Sequence, residues 1–171
     1  TDVILDTAFW LTAGAILALL LMSAFFSGSE TALTAASRGK LRAQADKGNR
    51  GAEVALEVKE DGERLIGAIL LGNNVANILS ASLATALFSR VFGANGVAVA
   101  TLVMTALVLI FAEVLPKTYA ITAPETAAAR LARPVRVLIR VLSPVVGLVR
   151  LIVRGILMLF GVKTDPDSHI L

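Results

Sequence analysis

Three short stretches of this chain set oxygen-bearing side chains into otherwise apolar sequence. In the first, Ser23-Ala24-Phe25-Phe26-Ser27-Gly28-Ser29-Glu30-Thr31, Ser23 and Ser27 are four apart and share a helical face. Gly28 lets the backbone loosen there and turn carbonyls toward a ligand; alternatively, the serines bond back to the preceding turn, as membrane serines commonly do. The second stretch is Gly72-Asn73-Asn74-Val75-Ala76-Asn77, where Asn74 and Asn77 are three apart and Asn73 and Asn77 four apart. Amides this dense are costly in lipid without partners. They either meet a ligand or bond across helices, at about 0.6–2 kcal/mol per contact. In the third stretch, Phe111-Ala112-Glu113-Val114-Leu115-Pro116-Lys117-Thr118-Tyr119, Glu113 is the only acid of its apolar segment. An ordinary i,i+4 pair with Lys117 competes with any functional role for it. Pro116, however, lacks an N–H and clashes with the Ala112 carbonyl, freeing that carbonyl beside a carboxylate.

Such donors make an all-oxygen site. The chain has no cysteine, and its one histidine, His169, lies in the polar tail. Hard cations such as magnesium therefore fit, and zinc or copper do not. Broken helices whose freed backbone groups line a cavity are a known way to hold ions in transporters. Disulfides and thiolate chemistry are excluded. With no phosphate-binding glycine loop, no cysteine nucleophile and no buried histidine base, the sequence argues against an enzyme.

The elements that position these groups must be membrane helices. Hydrophobic residues make up 56% of the 171 and charged residues 17%, with a mean hydropathy of +0.78. Soluble domains sit near about 45–50% apolar and about 25% charged. Three charge-free stretches reach bilayer length: Thr7–Ser29, Leu65–Ser89 and Val91–Ala112. They predict transmembrane helices over about 7–29, 65–89 and 91–116. The last two are joined by a tight turn at Phe92-Gly93-Ala94-Asn95-Gly96. The acidic lead TDVILDTAFW is not the basic start of a cleavable signal peptide.

Lysine and arginine number none before the first stretch, one in the short loop, seven over 30–64 and eight after Pro116. Positive charge stays inside. The N-terminus is thus expected outside and both basic segments on the cytoplasmic side. The net charge of +3 then marks cytoplasmic flanks and anionic lipid rather than nucleic acid. Residues 37–64 read as two short amphipathic helices broken at Gly48-Asn49-Arg50-Gly51. Residues 124–160, interrupted by Arg130, Arg133, Arg136, Arg140, Arg150 and Arg154, read as two helices lying at the membrane surface. Together these elements predict one all-α integral membrane domain over 1–171: three transmembrane helices plus cytoplasmic-side juxtamembrane amphipathic helices.

FFSGSETAL, LGNNVANI and AEVLPKTYA, in this order, resemble the transmembrane domain of the CorC/cyclin M family over roughly Leu11 to Val149. The resemblance implies a multi-pass, homodimeric transporter of a bacterial inner membrane that exports Mg2+, coupled to sodium influx. By position it implies Ser27, Asn74 and Glu113 as the ion ligands. Helical spacing adds Ser23 and Asn77 as further contacts, with carbonyls freed near Gly28 and Ala112 and Pro116 as the helix breaker. Family members usually continue into nucleotide-binding cystathionine-β-synthase modules, which this chain does not contain. It is therefore expected to be a membrane domain parted from its cytoplasmic regulatory domains. A magnesium sensor that moves no ions, and a magnesium channel, share the same site and stay open.

Overall fold

The computed structural model describes residues 6–161, and every regular element among them is helical. Helix α1 spans Thr7–Ala35, capped by the Asp6 carboxylate, which accepts from the Ala8 N–H at 3.1 Å. Two short helices follow, α2 (Arg38–Asp46) and α3 (Arg50–Glu60), capped by Ser37 and Asn49. Gly48 turns the chain between them in the left-handed region at φ 96°, where a side chain is disfavoured. Helix α4 spans Gly62–Phe92. After a 3-10 turn at Gly93–Asn95, the chain reverses into α5 (Gly96–Leu107), a π-helical segment (Val108–Val114) and α6 (Leu115–Thr122). Helix α7 runs from Pro124 to Leu159.

Among the described residues, three helical stretches are long and apolar enough to cross a membrane: Thr7–Ala35, Gly62–Thr122 and Pro124–Leu159. The middle one is the hairpin of α4 with α5–α6. Its closure depends on Gly96, where a Cβ would fall 2.5 Å from the Ser89 Cα. The Arg90 guanidinium reaches Asp6 at 2.9 Å, so the start of α1 and the hairpin turn share one end of the bundle. The Ala8 N–H and Arg90 together hold the Asp6 carboxyl below the usual carboxylate range. At the other end, Lys59 of α3 donates to the Leu33 carbonyl in the last turn of α1 at 2.7 Å. Burial, and then the nearby Arg38, push the Lys59 pKa down.

Helices run past their predicted ends, α1 from Ser29 to Ala35 and the third from Pro116 to Thr122. Charge marks where lipid ends, and a helix needs only its own backbone bonds to continue. The break at Gly48-Asn49 falls where expected. The two surface helices expected over 124–160 are instead one 36-residue helix through Pro134 and Pro144. Each proline removes a single backbone bond, which neighbouring turns and packing absorb. The first half of α7 buries Ala127, Ala128, Ala132 and Val135 in a core with Leu33, Leu41, Ala52 and Ala55. A second core, toward the hairpin turn, joins Ile16 and Leu20 to Ala84, Leu87, Ala100 and Met104.

Small residues let the helices approach. On α4, Ala68, Ala76, Ser80 and Ala84 are all buried, and Gly67 and Gly72 lie against Val146 and Phe26. This face is used within the chain. Outward, Leu11, Leu17, Leu21, Ile78 and Leu102 are exposed, as lipid-facing side chains require.

Candidate ion site

The α1–α4 contact sets the first part of the site. Gly72 has no Cβ, and one built there would fall 2.9 Å from Cζ of the Phe26 ring. The ring therefore seats on α4, and Ser23, about one turn earlier on α1, meets the amides that follow Gly72. Its fully buried hydroxyl lies 2.7 Å from Asn73 Oδ1 and 2.6 Å from Asn77 Oδ1. A hydroxyl has one proton and can donate to only one of those oxygens. The other contact is satisfied if that amide turns its NH2 toward the hydroxyl. Ser80 donates to the Asn77 carbonyl at 3.0 Å and steadies the turn carrying that amide. Hydroxyl and amide oxygens converging in this way are hard donors.

The second part lies where α1 meets the broken helix. A Cβ on Gly28 would contact the Pro116 Cβ at 3.4 Å, so α1 abuts the chain directly after the π segment. On either side of Gly28, the Ser27 and Ser29 hydroxyls are buried without a hydrogen-bond partner among the described residues. In the π segment the Leu115 N–H bonds to the Ile110 carbonyl. In that wider register the next donor would be Pro116, which has none, so the carbonyl facing it is that of Phe111, next to Ala112. The loosening expected at Pro116 thus takes the form of one π segment rather than a break. Glu113, within it, pairs with Lys117 at 3.0 Å. Its side chain also lines a cavity of about 440 Å³ with Thr85, Thr101, Met104 and Thr105, between α4 and α5.

Residues 14–171 match the family described as the cyclin M transmembrane N-terminal domain. The chain belongs to this family. It is 43% identical over 147 residues to the UPF0053 inner membrane protein YfjD of Escherichia coli, covering 84% of this chain and 34% of that protein. It is 33% identical over 152 residues to a UPF0053 protein of Haemophilus influenzae, covering 89% and 36%. With a protein of Escherichia coli named polyamine export protein it shares 32% over 156 residues, covering 81% and 35%. The chain spans about a third of the length of these relatives. Cyclin M domains are multi-pass membrane domains and not an enzyme family.

In this cyclin M domain the residues expected as ligands lie in different places. Ser27 is buried on α1 next to Gly28, Asn74 is exposed and lines a cavity between α4 and α7, and Glu113 lines the α4–α5 cavity. Among the described residues no hydrogen bond joins these three. Helix geometry accounts for Asn74: with Asn73 and Asn77 turned to α1, Asn74 is rotated by about 100° from its neighbour. The structure brings together Ser23, Asn73 and Asn77, two of which the spacing had singled out. Asn73 was missed, although its i,i+4 relation to Asn77 was the signal for it.

Proposed function

We propose that this cyclin M domain exports Mg2+ across a bacterial inner membrane, driven by sodium influx. The observation that carries the reading is the convergence of the Ser23 hydroxyl with the Asn73 and Asn77 amides inside helices of bilayer length. The unpartnered Ser27 hydroxyl supports it, as does the lone intramembrane carboxylate, Glu113, on a loosened backbone. Ser27, Asn74 and Glu113 would complete the ligand set. To do so, Glu113 must exchange Lys117 for the cation, a motion that suits a transporter's change of state. Asn74, on the α4–α7 side, would join only if the α1–α4 contact opens and α4 turns. The N-terminus lies outside, the basic segments 37–64 and 124–160 inside, and two copies form the working unit.

The test is Mg2+ flux in proteoliposomes under imposed sodium gradients. Flux that follows the sodium gradient supports the exchanger. Flux indifferent to it assigns a channel, and Mg2+ binding without flux assigns a sensor.

A second reading has an observation of its own. One relative is named a polyamine export protein, and the cavity that Glu113 lines presents threonine hydroxyls between apolar walls. A carboxylate in such a cavity suits a protonated alkylamine. Putrescine flux unaffected by Mg2+ favours this reading over the first.

A further inference from the structure

The cavity between α4 and α7 lies apart from the Ser23 cluster and has a volume of about 490 Å³, within the range of small-ligand sites. Its walls carry Ile66 and Leu70 from α4 and Val149, Val153 and Leu157 from α7. Its charges are Arg150 and Arg154, about one turn apart on α7, and Glu63 at the start of α4. Glu63 engages only one edge of the Arg150 guanidinium, at Nε, 3.3 Å away. The Nη2 of Arg150 is buried and has no hydrogen-bond partner among the described residues. Arg154 has no ion-pair partner among them either.

A buried guanidinium nitrogen without an acceptor is costly. Two arginines on one helix face match the fork geometry of a phosphate. Apart from the Asn74 amide, the remaining lining is aliphatic or glycine and, among the described residues, holds no ring on which a nucleotide base would stack. We propose that this cavity binds an anionic phospholipid, its phosphate held by Arg150 and Arg154 and one acyl chain lying along Ile66, Leu70, Val149 and Val153. Ile66, Leu70, Val149 and Val153 are themselves exposed, so this wall is continuous with the lipid-facing surface. The lipid would then hold α7 to the first turns of α4, where direct packing is supplied by Val146 on Gly67.

The experiment is native mass spectrometry of the full chain in detergent. It is titrated with phosphatidylglycerol and with phosphatidylcholine of the same acyl chains. Phosphatidylglycerol is expected to bind one per chain, about tenfold more tightly than phosphatidylcholine. Arg154→Gln breaks no ion pair among the described residues and keeps the fold, and it should weaken phosphatidylglycerol about tenfold. Val149→Trp should weaken both lipids by filling the cavity. Equal binding of the two lipids, or Arg154→Gln without effect, overturns the proposal. Displacement of phosphatidylglycerol by millimolar inorganic phosphate also overturns it, by assigning the arginines to a free anion. None of these outcomes depends on Mg2+ transport.

Discussion

Ser23, Asn73 and Asn77 sit on unbroken α-helices, with the Ser23 hydroxyl 2.6–2.7 Å from both amide oxygens. Glu113 sits instead in a π segment ended by a proline, satisfied by a neighbouring lysine that is itself half-exposed. The first arrangement is held by close packing of α1 on α4. It can change only if that contact opens. The second rests on an ion pair that another cation can replace, in a turn already short of one backbone donor. A site that takes up and releases ions needs a part that stays and a part that yields, and these two regions divide that way.

Removing the carboxylate tests the yielding part most severely. Glu113→Gln keeps size and one carbonyl oxygen but deletes the charge a partly dehydrated divalent ion needs. Mg2+ affinity by isothermal titration should fall on the order of 100-fold, about 2.7 kcal/mol. Helix content should be unchanged. Unchanged affinity would remove Glu113 from the site.

In the fixed part, Ser23→Ala leaves two inward-facing amides without their shared partner. It should cost about 1–3 kcal/mol of stability, read as a lower melting temperature in detergent. A melting loss from Glu113→Gln as large as that from Ser23→Ala would dissolve the distinction between the two regions.

Pro116→Ala separates backbone from side chain, because it restores a donor and removes the steric cause of the π register. We expect Mg2+ flux to fall roughly tenfold while the melting temperature holds or rises. Flux at the wild-type rate would show that the loosened turn has no role in transport.

Lys117→Ala removes the competitor for Glu113. Mg2+ affinity should rise a few-fold, on the order of 1 kcal/mol. A fall would make the lysine part of the site rather than its rival.

The smallest effect belongs at the far end of the bundle. The folded-state pKa of Asp6 is depressed, so its contribution is present above the unfolded carboxylate value. It is lost as pH falls through the lower, folded one. Asp6→Asn should abolish that acid-range loss and leave Mg2+ binding untouched. A change in binding would tie the ion site to the hairpin end.

Charge-free length made the membrane helices legible, because a charge in lipid costs more than propensity can offset. The turn at Gly93–Asn95, the break at Gly48 and the distortion before Pro116 were equally readable. Each depends on the conformational limits of one residue and needs no distant partner. The same local logic placed Asn73 and Asn77 on one face.

Tertiary structure decided what that face meets. Ser23, and not Ser27, reaches the amides because the Phe26 ring seats on Gly72 and fixes the phase of α1 against α4. The small residues of α4 pack inside the chain for the same reason, and α7 stays continuous through two prolines because its first half is held on α3 and the end of α1. Helix formation is a matter of neighbours within four residues, so sequence carries it. The rotation of one helix against another is set by side chains far apart along the chain, and only the packed bundle brings them together.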